Sequence, residues 1–213
     1  MLTHATTHSR DIANNMKKLL FILILISSCG SNKHTLVAEK KFELCSDIRY
    51  ECLLSDLGPL AGKSVYKRNI HSLFENLLIR EGYLTEVNKA EYRDLLNKVR
   101  ENKVDLNLFE KFKTDLGFDP QILFMTSSFT SCYTYMIENL GIVNEDSWQY
   151  KFRDAYWKFE AEGNLRQEND FILDALKVIP EKEFQNINYR KIFLDLIFLE
   201  LEPYPSEPVF RTN

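Results

Sequence analysis

Over residues 65–201 apolar side chains recur at steps of three and four, the spacing that places them along one side of an α-helix. Val65, Ile70, Leu73, Phe74, Leu77 and Leu78 form one such stripe, stopped by Gly82. Asn88 followed by Glu91 reads as a capping box, opening a helix whose apolar face is Tyr92, Leu95, Leu96 and Val99. A shorter helix carries Leu108, Phe109, Phe112 and Leu116 and ends at Gly117. Asp119-Pro120 pairs a capping side chain with proline at the first helical position. The helix it opens is expected over 120–139, with Ile122, Met125, Phe129, Tyr133, Met136 and Leu140 on one face. Another starts near Asp146 and ends at Gly163, with Trp148, Phe152, Ala155 and Phe159 as its core stripe. A helix over 168–178 closes at Pro180, and a last one over 183–202 is apolar nearly all round, the mark of a bundle's buried centre.

The pattern predicts an all-α fold, a compact single-domain bundle of six to eight helices centred on 183–202 and 120–139. Glycine and proline, at 7 and 6 in the whole chain, are too scarce for the frequent turns of a sandwich or barrel. Residues 37–54 resist this reading because no single period accounts for their apolar positions. Leu57-Gly58-Pro59 breaks the chain after them, and Pro203–Asn213 reads as an irregular strap.

The front of the chain has a different pattern. Met16-Lys17-Lys18 is basic, Leu19 to Ile26 is uninterruptedly apolar, and Ser27-Ser28-Cys29 comes next. Basic segment, apolar core and small residues describe a secretory signal peptide. The apolar run is far short of the roughly 20 residues that span a bilayer. Ile26-Ser27-Ser28-Cys29 resembles the lipobox of bacterial lipoproteins, an aliphatic residue and two small ones before a cysteine. The resemblance covers residues 16–29 alone. It implies that the peptide is cut before Cys29, that Cys29 carries acyl chains, and that two or three chains hold the protein stably on a membrane. Residues 1–15 fit no part of a signal peptide and are read as an extension ahead of the true start at Met16. Residues 16–28 are then the signal peptide, 29–36 a polar tether and 37–213 the helical domain. The expected address is the bacterial cell envelope, with the domain outside the cytoplasm and the membrane as a partner through its lipid.

Cleavage leaves 185 residues with 24 basic and 30 acidic side chains, a net charge of −6. Both signs are interspersed, which excludes nucleic acid, whose binders gather Lys and Arg on one face. Three cysteines remain beside Cys29. Cys45 and Cys52 are seven apart, about 10.5 Å along a helix, and a disulfide needs Cα atoms within about 6.8 Å. A helix there forbids their pairing. Two readings stay open: three buried thiols packed as small hydrophobes, or a bridge from Cys132 to Cys45 or Cys52.

Candidate chemistry is thin. His34 and His71 have no Cys or second His at ligand spacing, so no metal and no cofactor is expected. Glu81-Gly82-Tyr83-Leu84 and Glu162-Gly163-Asn164-Leu165 echo the centre of an EF-hand loop. Both lack the carboxylates needed at its first and last positions, and read as helix ends. Asp195 sits among apolar neighbours, with Lys191 four residues earlier as its expected partner. Two surfaces stand out. Tyr150, Arg153 and Trp157 form a strip on the outer face of their helix, either covered by another helix of the same domain or suited to stacking on a partner. Ser127, Ser131 and Tyr135 belong to an uncharged face of 120–139 that could pack against a helix or line a small-ligand pocket. The leading expectation is a lipid-anchored, non-enzymatic binding protein with an unidentified protein partner. A toxin-neutralising immunity lipoprotein is a sharper version, and a ligand-binding or hydrolytic domain using the hydroxyl face is the competing class.

Overall fold

A computed structural model describes residues 36–55, 69–105, 107–124, 132, 134–139, 141, 143–162, 165 and 170–201. The fold is all-α, and no strand occurs among the described residues. Cys29 and everything before it, Val65, Ser127, Ser131 and the tail after Leu201 lie outside the described residues, as does the Leu57-Gly58-Pro59 break.

Helix α1 is described over residues 36–55. It is succeeded by α2 (Ile70–Arg80), α3 (Lys89–Arg100), α4 (Asn107–Leu116) and the short α5 (Gln121–Phe124). A π-helical turn, Tyr135–Asn139, precedes α6 (Trp148–Glu162), α7 (Phe171–Val178), α8 (Glu181–Phe184) and α9 (Ile187–Leu201). Side-chain oxygens open several of these helices, because the first N–H groups of a helix have no partner within it. Asn69 accepts from His71 N, Asn88 from Glu91 N, Asp105 from Asn107 N and Asp119 from Gln121 N. Glu91 returns its carboxylate to Thr85 N rather than to Asn88. Gly82 and Gly117 adopt φ of 77° and 76° at the ends of α2 and α4, a left-handed conformation that glycine takes without steric penalty.

The expected helix over 183–202 is two helices. Asn186 interrupts it, with its Oδ1 accepting from Asn188 N at 3.0 Å and its Nδ2 donating to Glu43 on α1 at 2.5 Å. A side chain that offers the backbone an alternative partner ends one helix and caps the next. The second of the two, α9, is the buried axis of the fold and packs against α2, α3 and α5. Its lower half enters a knot of phenylalanines. Phe198 stacks on Phe124 of α5 with ring centroids 4.0 Å apart and meets Phe109 of α4 edge-on at 4.3 Å. Phe74 of α2 lies 5.5 Å from Phe124 and 5.9 Å from Phe198. One core of buried apolar residues runs from Ala38 to Leu201. On α1 it takes in Ala38, Phe42 and Leu54, while Val37, Leu44 and Ile48 point into water. Apolar residues on both sides of α1 are the reason its period is unreadable in the sequence.

Candidate functional site

The ionisable groups of α9 are the first place to look for chemistry. Asp195 is buried, and its Oδ1 lies 2.6 Å from Nε2 of His71 on α2. The other ring nitrogen of His71 is 3.2 Å from Asn69 Oδ1. Lys191, expected to pair with Asp195, instead donates to Ser46 Oγ at 3.1 Å and points its ammonium at the Tyr50 ring, 5.3 Å away. Burial holds the Lys191 ammonium below the usual lysine range, against the pull of Asp47 and Asp195. Beside it on the helix, Arg190 makes a two-pronged contact with Glu75, Nε to Oε1 at 2.7 Å and Nη2 to Oε2 at 2.9 Å. Its Nη1 donates to the Phe184 carbonyl, and the Tyr92 hydroxyl donates to Glu75 Oε1. Burial, then the Glu75 charge, push the Tyr92 phenol well above its ordinary range.

His71 and Glu75 are four apart on α2 and meet Asp195 and Arg190 of α9 in reversed order, as antiparallel helices require. With His71 1% and Asp195 3% exposed, no substrate reaches this pair. The arrangement is an Arg–Glu ion pair and a His–Asp hydrogen bond sealed between helices. Pairing between distant helices leaves no local signature, so the sequence exposes only half of it. A helix that is apolar all round and still carries Arg190, Lys191 and Asp195 announces that partners must exist elsewhere.

The second place lies around the π turn. Cys132 is joined to Cys45 of α1 by a disulfide with Cα atoms 5.8 Å apart, while Cys52 is a free, exposed thiol. Beside the bridge, Lys41, Leu44, Cys45, Ile48 and Arg49 of α1 and Tyr135 of the π turn line a groove of about 380 Å³. That volume suits a small ligand or a few side chains. Tyr135 thus faces α1. Whether Ser127 and Ser131 approach it falls outside the described residues.

Three residues on, Glu138 reaches back to α6, where its Oε1 lies 3.4 Å from Arg153 Nη1. Tyr150, Arg153 and Trp157 do come together. The Arg153 guanidinium carbon lies 4.0 Å from the Trp157 ring centroid and 4.7 Å from that of Tyr150. The strip does not lie fully open on the surface. Arg153 is 7% exposed, Tyr150 is half-buried, and Trp157 alone opens to solvent. The physical reason is the stacking itself, since two aromatic rings laid on one guanidinium shut it off from water. Among the described residues, Arg153 Nε and, one turn earlier, Gln149 Nε2 are buried without a hydrogen-bond partner, and buried N–H groups of this kind are rare. The clasp therefore presents an indole over a buried cation with unused donor capacity.

Among the described residues no group of three or more His, Cys, Asp or Glu side chains could hold a metal ion. No helix of the described residues is long and apolar enough to cross a membrane. No family model matches the chain, and neither a curated protein nor a solved structure matches it.

Proposed function

We propose that the chain is a lipid-anchored protein of the bacterial cell envelope whose helical globule binds a protein partner through the Trp157 clasp. The signal-peptide pattern of residues 16–29 and the Cys45–Cys132 bridge support the address independently of each other, since disulfides persist where the surroundings are oxidising. The observation that carries the binding role is the Arg153 guanidinium held between Trp157 and Tyr150. Trp, Tyr and Arg dominate interface hot spots because each combines a large apolar face with a polar edge. Here the rings are already fixed by the buried arginine, so little rotamer freedom is lost on binding. The acidic balance of the mature chain suits a basic partner around that centre.

The ionisable groups with catalytic potential, His71 and Asp195, are spent on each other inside the bundle, which weighs against a hydrolytic role for them. The test is affinity capture from envelope extract with the native lipidated chain, compared with Trp157→Ala and Arg153→Ala. A partner should be recovered by the native chain and lost with Trp157→Ala, the substitution weakening binding by about 2 kcal/mol or more, roughly thirtyfold. Recovery of no protein, or of one held equally well by both variants, removes the reading.

A further inference from the structure

Helix α1 breaks the pattern of the rest of the bundle. Val37, Leu44 and Ile48 are 41%, 61% and 51% exposed. Their spacing of seven and four places them in one row along the helix, on the side away from buried Ala38, Phe42 and Ser46. Lys41 borders the row on the groove side, where Arg49 also lines the groove, and Lys40, Asp47 and Glu51 border it on the other. Isolated surface aliphatics need no explanation, but a row of them continuous with an apolar groove does.

Two observations say what covers it. The first is distance along the chain. Leu36, the first described residue of α1, lies seven positions after Cys29, and seven extended residues reach at most about 25 Å. An acylated Cys29 would therefore hold the start of this row within reach of the lipid headgroups. The second is the clamp. The Cys45–Cys132 disulfide ties the middle of α1 to the bundle at the edge of the groove. The inner face stays engaged with the core, and the aliphatic row stays outward.

We infer that α1 lies in the surface of the phospholipid bilayer that holds the anchor, with Val37, Leu44 and Ile48 at the headgroup–acyl boundary. Amphipathic helices at that boundary sink their apolar face about 5–10 Å. Lys41 and Arg49 have stems long enough to lie along the apolar layer while their charged ends meet lipid phosphates. Lipid and helix together fix the globule's orientation, so that the clasp of α6 is held at a set angle to the membrane. The inference rests on the reading that Cys29 is acylated.

The free thiol of Cys52, one turn beyond Ile48 on the same row, supplies the probe. The full chain, made in a host that processes lipoproteins, is labelled with a nitroxide at Cys52. It is then incorporated into vesicles of phosphatidylethanolamine and phosphatidylglycerol. Collision with oxygen should rise, and collision with a water-soluble nickel chelate should fall, relative to a label at Lys151→Cys in a Cys52→Ser chain. Leu44→Glu with Ile48→Glu should leave the protein on the vesicles through its acyl chains yet return the Cys52 label to water. Where peptide mass mapping finds Cys29 acylated, a label on the native row as open to the chelate as the Lys151 site overturns the inference alone. Spin–spin broadening that grows with protein density would mean that a second copy covers the row, and overturns it too. Peptide mass mapping of the same sample decides the remaining case. A nitroxide on Cys29 would show an unacylated thiol and remove the anchor together with the inference.

Discussion

Helices α9 and α1 depart from the ordinary rule of apolar inside and polar outside in opposite directions. Helix α9 carries Arg190, Lys191 and Asp195 where water scarcely enters. Helix α1 carries Val37, Leu44 and Ile48 where water is free to enter. The charges of α9 meet partners on α2 and α1, His71, Glu75 and Ser46, at hydrogen-bonding distance. The aliphatics of α1 stay outside the core that the described residues build. A buried charge that finds its partner inside the fold belongs to the fold's architecture. An exposed apolar row that finds no place in the core leaves room for a cover from outside, the part proposed above for the bilayer. The same contrast separates the two sides of α6, where Phe152 and Phe159 complete the core and Trp157 stands open over Arg153.

If the α9 charges are architectural, breaking one pair gives the largest loss of stability. Arg190→Leu leaves Glu75 charged and buried, and should cost about 3–5 kcal/mol. That corresponds to a fall in melting temperature on the order of 10 °C. Glu75→Leu combined with Arg190→Met removes both charges and should recover most of the loss. A single substitution costing under about 1 kcal/mol would mean the pair is not sealed from water.

The Cys45–Cys132 bridge comes next. It closes 87 positions of chain, and a loop of that size in the unfolded state makes Cys45→Ser with Cys132→Ser about 4.5 kcal/mol less stable. Reducing agent should lower the melting temperature of the native chain similarly and leave the double variant untouched.

The buried phenols make stability depend on alkaline pH. Burial raises Tyr50 to about 12 and also raises Tyr92, Tyr156 and Tyr189. In the unfolded chain these phenols ionise near 10, while the folded chain keeps their protons. The folded state then binds more protons, and stability falls as pH rises from 10 toward 12 and beyond. Lys191 works the other way, because its depressed folded value means stability gains as pH rises toward the ordinary lysine value of 10.5. The net decline should therefore steepen past that point. Urea titrations between pH 9 and 12 are the check, with Tyr50→Phe showing a shallower slope. A flat profile would place the phenols in water.

The smallest effect is expected on α1. Leu44→Ser should change stability by no more than about 0.5 kcal/mol, measured by urea unfolding of the chain free of vesicles. A loss of 2 kcal/mol or more would make Leu44 part of the core and dissolve its contrast with α9.

The sequence pattern locates what is set locally. Tyr92, Leu95, Leu96 and Val99 are the buried face of α3, and Leu108, Phe109 and Phe112 that of α4, because a 3.6-residue period suffices to place them. Helix ends at Gly82 and Gly117 are equally readable, since left-handed φ singles out glycine. Three features escape for physical reasons. The row on α1 hides because its inner face is apolar too. The break at Asn186 hides because it depends on Glu43, far away in sequence. The pairs His71–Asp195 and Glu75–Arg190 hide because electrostatic partners on different helices carry no periodicity. The disulfide is legible only as an alternative to three unpaired thiols, with two pairings open, and the geometry of α1 beside Cys132 selects Cys45.

One mass-spectrometric experiment bears on the whole scheme: peptide mapping of the native protein, alkylated without reduction. The expected result is a chain that starts at Cys29 with acyl groups on that residue, a Cys45–Cys132 cross-linked peptide, and alkylation of Cys52. A chain that keeps its first 28 residues, with Cys29, Cys45 and Cys132 all alkylated, would show a protein that never left the cytoplasm.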